Sequence, residues 1–228
     1  MKKTLLTVFV LLTAFKATGN DTLYYSMLRN SIELAYKDYK LENYRQLANC
    51  SERILLIYKN DWLPYYYEAY AYINMSFIET NESEKEMYCK KAQDLLAEMK
   101  KINPGESELY VLQSMLYYAL MGINPLLNGP LYFPKAASAL SDAEKLNPDN
   151  PRIYYLRGKS TMNTPKFLGG GSEAAIPVFE KALILYKSFK PESIVHPYWG
   201  EEDALRLYDK CKSTLNEQKA KNQPDKRD

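Results

Sequence analysis

From about residue 20 to residue 215 the chain shows no sustained apolar–polar alternation of period two. Several segments instead place apolar residues at i, i+3, i+4 and i+7, the spacing of one face of a helix. The pattern predicts an all-α protein. The stretch "NPDNPRIYYLRG" at 147–158 shows how its helices are delimited: two prolines within five residues, aromatics immediately after, then a glycine. A proline cannot continue a helix but is well suited to its first turn. The stretch therefore ends one helix and starts the next.

"KLNP" at 145–148 has a counterpart in "KINP" at 101–104, forty-four residues earlier. Aligned on these prolines, Ala136, Leu140 and Ala143 match Ala92, Leu96 and Met99, and Ala175, Phe179 and Ala182 repeat the spacing once more. Each of these helices follows one carrying an aromatic and, four residues on, a small residue: Tyr67 with Ala71, Tyr110 with Ser114, Tyr154 with Gly158. A small residue at that place lets two helices cross closely. The repeating unit is thus a helical hairpin, and a series of such units buries its apolar faces by stacking.

An aromatic, a small residue, then Ala-x3-Phe and a terminal proline resemble the tetratricopeptide pattern over roughly residues 44–190. The resemblance implies an α-solenoid of about four hairpins and a C-terminal capping helix. The units exceed the usual length of about 34 residues. The additions fall between paired helices, at "FIETNESEKEMYCKK", "MGINPLLNGPLYFPK" and "NTPKFLGGGSE". The expected helices lie near 21–40, 43–59, 64–79, 83–101, 106–121, 133–146, 151–162, 172–188 and 201–220, with Pro64, Pro134 and Pro151 at helix starts. Ala204, Tyr208, Cys211 and Leu215 make the inner stripe of the last helix. "WLPYYYEAYAYI", "NPDNPRIYYLRG", "TPKFLGGGSEAAIPVFEKAL" and "PYWG" further resemble secreted bacterial helical-repeat proteins without an assigned activity, which are similar in architecture to the periplasmic T component of some TRAP transporters.

Residues 1–19 differ from the rest. Lys2-Lys3, the apolar run "TLLTVFVLLTAF" and the small residues Ala17-Thr18-Gly19 have the layout of a secretory signal cleaved between Gly19 and Asn20. The run is shorter than the roughly 20 apolar residues a membrane span needs. The expectation is a periplasmic or secreted protein with no span after cleavage, a repeat domain at 20–215 and a frayed polar tail at 216–228. Removing Lys2, Lys3 and Lys16 from 30 basic residues leaves 27 against 28 acidic. That balance, without a basic stripe, excludes nucleic acid as the expected partner. Cys50, Cys89 and Cys211 lack any CxxC spacing and read as small apolar residues, one pair with a free thiol being the alternative.

Little in the sequence suggests catalysis. His196 in "VHPYWG" is the only histidine, too few ligands for zinc and too few partners for a catalytic triad. "GGGS" at 169–172 lacks the Gly-Lys-Ser/Thr ending of a phosphate loop and reads as a turn whose Ser172 caps the next helix. Glu82 with Glu84, and Glu201 to Asp203, sit in helix first turns, where negative charge is favoured anyway. No enzyme, metal or cofactor is expected.

What stands out is tyrosine, 21 of 228 residues, concentrated on the first helix of each pair. The face about 100° from the small residues reads Tyr65, Glu68, Tyr72 and Met75, then Glu108, Val111, Met115 and Tyr118, then Arg152, Tyr155, Lys159 and Met162. Tyrosine offers a rigid apolar face with one hydroxyl, and methionine adapts its shape. The sequence therefore points to an exported adaptor that holds a peptide or protein partner of the cell envelope along this face, with "INPLLNGPLYFP" and "TPKFLGGGS" as mobile loops shaping one rim. Packing between repeats is the competing use of such a stripe. A periplasmic small-molecule component associated with a transporter, with Arg152, Tyr155 and Tyr118 as its polar groups, is the functional alternative.

Overall fold

The computed structural model describes residues 23–221, so the proposed signal segment at 1–19 lies outside the described residues. Among them every regular element is helical: α1 at 23–37, α2 Leu41–Leu55, α3 Trp62–Ile78, α4 Glu82–Ile102, α5 Ser107–Ile123, α6 Pro125–Leu146, α7 Pro151–Asn163, a 3-10 turn Lys166–Leu168, α8 Ser172–Ser188 and α9 Glu201–Lys221. The chain divides into two compact units. One holds α1 to α4 with Glu192–His196, the other α5 to α9 with the remainder of the described chain.

The first helices α3 and α5 are apolar nearly all round, and the second helix α4 carries a single apolar stripe. In α3, Tyr66, Tyr67, Ala69, Ala71 and Ile73 are fully enclosed, and in α5 Leu109, Val111, Leu112 and Ser114 are. A helix enclosed on every side must be apolar on every side. In α4, only Tyr88, Cys89, Ala92, Leu96 and Met99 are buried, along one stripe. The repeat register read from the sequence holds: Ala71, Ser114, Ala92, Ala136, Ala143, Ala175, Phe179 and Ala182 are all buried. At Gly158 an added Cβ would lie 2.6 Å from the Phe179 ring, which is why a glycine stands there.

Caps fix the hairpin boundaries. Asp61 accepts from the Leu63 amide at 3.0 Å, and Glu106 from the Glu108 amide at 3.1 Å. Asn124 caps α6 through the Leu127 amide, and Asn150 caps α7 through the Arg152 amide at 3.0 Å. Each satisfies a helix-end donor that would otherwise be orphaned.

Two local expectations are corrected. The segment "MGINPLLNGPLYFPK" is mostly helix: α6 begins at Pro125, and both Pro130 and Pro134 lie inside it rather than at a start. Each proline forfeits a hydrogen bond to the carbonyl four residues earlier. Here those carbonyls belong to Leu126 and Pro130, both exposed, so water can take the missing place. The segment is held to α5 by Asn128 donating to the Leu120 carbonyl at 2.8 Å and by Tyr132 stacking on Tyr117. Likewise Ser172 does not cap α8. Gly171, with φ +100°, occupies the N-cap position without a side-chain bond. The "GGG" connection is tied down by Gly171 donating to the Thr161 carbonyl at 2.9 Å and Gly170 to that of Pro165 at 3.2 Å.

The cysteines are all free, Cys89 and Cys211 buried and Cys50 half-buried. In α9, Ala204, Leu207 and Cys211 are buried while Tyr208 and Leu215 are half-buried, and the helix continues past Leu215 to Lys221.

Candidate functional site

In the unit formed by α5 to α9, α5 and α7 run side by side and parallel. Their N-terminal ends are joined by Glu108 and Arg152, and their C-terminal ends by a side-chain hydrogen bond between Tyr118 and Ser160. The two ends of this shared face are treated very differently.

The N-terminal half is sealed. Arg152 Nε lies 2.7 Å from Glu108 Oε1, with side-chain exposures of 1% and 2%. Asn150 Nδ2 donates to the same Oε1 at 2.6 Å and to Ser107 Oγ at 3.0 Å, so the α7 cap and the ion pair form one network. Burying a charge pair costs less when neighbouring donors share the load, as Asn150 does at Glu108 Oε1. The guanidinium faces the Phe189 ring at 4.6 Å and the Trp199 ring at 5.8 Å. Tyr155 meets Trp199 edge-on at 6.1 Å, and the Tyr186 hydroxyl donates to the Trp199 carbonyl at 3.1 Å. Burial pushes the Tyr186 hydroxyl's pKa well up, so it stays a neutral donor. Phe189 and Trp199 come from the connection between α8 and α9. They pack over Arg152 and Tyr155, and Glu108, Val111 and Met115 on the same face are buried as well.

The C-terminal half remains open. Tyr118 and Met162 are half-buried and Lys159 is exposed. Burial raises the Tyr118 pKa, with the Ser160 contact opposing. Desolvation lowers the Lys159 pKa, with Asp203 of α9 opposing and Arg206 adding to the shift. This surface offers a tyrosine ring, a thioether and an ammonium group side by side along two parallel helices.

In the unit formed by α1 to α4, the face expected to bind is divided differently. Tyr65 is half-buried and its hydroxyl donates to the Lys59 carbonyl at 3.2 Å. Tyr72 stacks on Tyr88 and takes a 3.2 Å hydrogen bond from Lys91 Nζ, which also sits over its ring at 4.8 Å. Met75 is buried. Tyr67 donates to the Val195 carbonyl at 2.7 Å, and buried His196 meets Trp62 edge-on, so the histidine belongs to packing on α3.

Glu68 is the exception within this face. It is 7% exposed, and its pKa is raised to about 7, first by burial and then by Glu52, with Lys91 opposing. Because the folded carboxyl holds its proton more tightly than the unfolded one, it favours the folded state at low pH. That contribution falls away as pH rises from about 4.5 to about 7. Glu68→Gln, neutral at every pH, is therefore expected to match the wild type near pH 4.5 and to be more stable by on the order of 2 kcal/mol at pH 8. Urea unfolding followed by circular dichroism at the two pH values checks this. Equal stability at pH 8 would place the carboxyl in water.

A groove of about 590 Å³ lies between α8 and α9 and is lined by Leu183, Ile184, Leu205 and Tyr208 with Glu180, Glu201, Glu202 and Lys187. Its acidic excess suits an anionic ligand poorly. Among the described residues no group of three or more histidine, cysteine, aspartate or glutamate side chains could hold a metal ion, and no helix is long and apolar enough to cross a membrane.

Sequence periodicity put Glu108 and Arg152 on the face that α5 and α7 share. It missed Phe189, Trp199 and Asn150, which decide how much of that face is open. The "PYWG" motif was the available signal, since a tryptophan beside a turn glycine packs against something.

No family model matches the sequence, and no curated protein matches it either. Among solved structures, the chain is similar to the HusA haemophore from Porphyromonas gingivalis, with 30% identity, a TM-score of 0.76, and coverage of 86% of this chain and 96% of that one. It is also similar to a thermophilic TPR protein of Thermus thermophilus, at 22% identity and a TM-score of 0.55, covering 83% and 90% of the two chains. The second likeness shows the tetratricopeptide-like fold.

Proposed function

The chain belongs to the family of the HusA haemophore, and from that premise we propose that it is an exported, non-enzymatic carrier of haem or a haem-like tetrapyrrole, held on the open half of the α5–α7 face. The observation that carries this reading is the division of that face. Phe189 and Trp199 close its N-terminal half and leave Tyr118, Met162 and Lys159 accessible beyond them.

Haem is a flat apolar ring with two carboxylates, and the open residues match each part. A tyrosine ring stacks on a macrocycle, a methionine adapts to its edge, and a lysine pairs with a carboxylate. The α8–α9 groove is the poorer candidate because Glu180, Glu201 and Glu202 outnumber Lys187 and would repel those carboxylates. A peptide-holding adaptor needs a longer continuous trough than the open half of this unit supplies. The small-molecule reading of the sequence, a component serving a transporter, fits a short open site better. It supports the carrier reading, without Arg152 and Tyr155 as contacts, since both are covered.

Titrating the protein with haemin and following Soret absorbance tests the proposal. Saturable binding is expected, weakened about tenfold or more in the Tyr118→Ala/Met162→Ala double variant, a loss of about 1.4 kcal/mol. Both side chains are half-exposed, so far-UV circular dichroism of the variant should match the wild type. Absence of saturable binding in the wild type sinks the carrier reading. Equal affinity in the variant moves the site elsewhere.

A further inference from the structure

The two hairpin connections of the α5–α9 unit carry a feature that cargo binding leaves unused. Because α5/α6 and α7/α8 are antiparallel hairpins and α5 runs parallel to α7, both connections fall at the same end of the unit. At that end Leu126 is 85% exposed and Leu127 71%, on the first turn of α6, while Phe167 is 85% exposed and Leu168 66%, on the 3-10 turn. Leu131 and Phe133, further along α6, are exposed as well. Large apolar side chains singly at a surface need no explanation, but six concentrated at one end of one unit do.

The two connections themselves carry only basic side chains. Between Glu108 and Asp142, and again between Asp149 and Glu173, the sequence contains no acidic residue. Lys135 and Lys166 flank the apolar side chains, while Glu173 follows in the first turn of α8 and Glu217 adjoins Gln218 on α9. Lys135 lies over the Tyr132 ring, and Lys166 donates to the neutral amide of Gln218 at 2.8 Å, so both keep their charge available. The acidic Asp203 is paired with Arg206 of its own helix. The α3–α4 connection is different in kind, with Glu79, Glu82 and Glu84.

The backbone here is firm enough to present these side chains. Gly170 and Gly171 are hydrogen-bonded to the Pro165 and Thr161 carbonyls, and Asn128 anchors the start of α6 to α5. Fixed leucines and phenylalanines on connections whose own charged side chains are lysines match the boundary of a bilayer bearing anionic headgroups. Apolar tips enter the acyl boundary while ammonium groups meet phosphates. We infer that the α5–α6 and α7–α8 connections form a peripheral docking face for an anionic lipid surface, with Leu126, Leu127, Phe167 and Leu168 as the inserting side chains. This inference is independent of the cargo reading, and a carrier that touches a membrane this way would load or unload at it.

Co-sedimentation with phospholipid vesicles decides the matter. The wild-type protein is expected to bind vesicles containing about one third phosphatidylglycerol roughly tenfold or more better than vesicles of phosphatidylcholine alone, and to lose most of that preference in molar salt. The variant with Leu126, Leu127, Phe167 and Leu168 each replaced by serine should lose vesicle binding while keeping its helical spectrum and its haemin titration. No binding of the wild type to either vesicle overturns the inference and leaves the face to a protein partner. Undiminished binding of the four-serine variant overturns it too, since another surface would then be responsible. Haemin affinity is read separately, so failure of either proposal is visible without the other.

Discussion

Glu108→Ala is expected to destabilise the fold by about 3–5 kcal/mol, the typical cost of removing one partner from a buried ion pair. The argument is geometric. Arg152 is 1% exposed and its Nε points at Glu108 Oε1 at 2.7 Å, so the remaining guanidinium cannot turn to water without displacing Phe189 and Trp199. Asn150 loses its 2.6 Å bond to the same oxygen and keeps only Ser107, weakening the α7 cap as well. The double variant Glu108→Leu/Arg152→Met removes both charges and should recover most of the loss, because apolar groups of similar volume need no compensation there. Urea unfolding of the three proteins at pH 7 checks this. A single-variant loss below about 1 kcal/mol would mean the pair is solvated, as surface pairs are.

Gly158→Leu is expected to cost about 1–3 kcal/mol or more, because even a Cβ at this position would come within 2.6–3.0 Å of three Phe179 ring atoms. Phe179 is fully buried, with no room to yield, so α7 and α8 must separate. Gly158→Ala should show a smaller loss, and Gly158→Ala with Phe179→Leu should regain part of it by giving up ring volume. Thermal melts order the variants. An unchanged melting temperature for the leucine variant would show that the hairpin does not close at this point.

The glycine was legible in the sequence because its cause is local and repeated. The same small position recurs at Ala71 and Ser114, and the two "NP" stops fix the register of everything between them. Helix type and the inner stripes followed from the 3.6-residue period for the same reason. The fate of the Tyr/Met face was not legible, because period reveals which residues share a face and says nothing about what covers it. Glu108 and Arg152 read as members of one open face, yet they pair with each other and Phe189 and Trp199 lie over Arg152, in a stretch, "FKPESIVHPYWG", that has no period of its own. Glu68 illustrates the same limit, since its burial depends on α3 lying between α2 and α4 rather than on its neighbours in sequence. The start of α6 was misread in the opposite way. Pro130 and Pro134 are breakers by propensity, but the residues whose carbonyls they leave unpaired, Leu126 and Pro130, are exposed, and Asn128 and Tyr132 hold the segment to α5. Tertiary contacts outweighed local preference there.

The open α5–α7 face is most directly tested by methyl spectroscopy of protein labelled at its methionines, titrated with an iron-free tetrapyrrole so that paramagnetism plays no part. Met162, half-exposed beside Tyr118 and Lys159, should shift strongly through ring current, while buried Met75 and Met99 of the other unit should hold their positions. An unmoved Met162 accompanied by shifts elsewhere, or by none, would contradict a cargo site on this face.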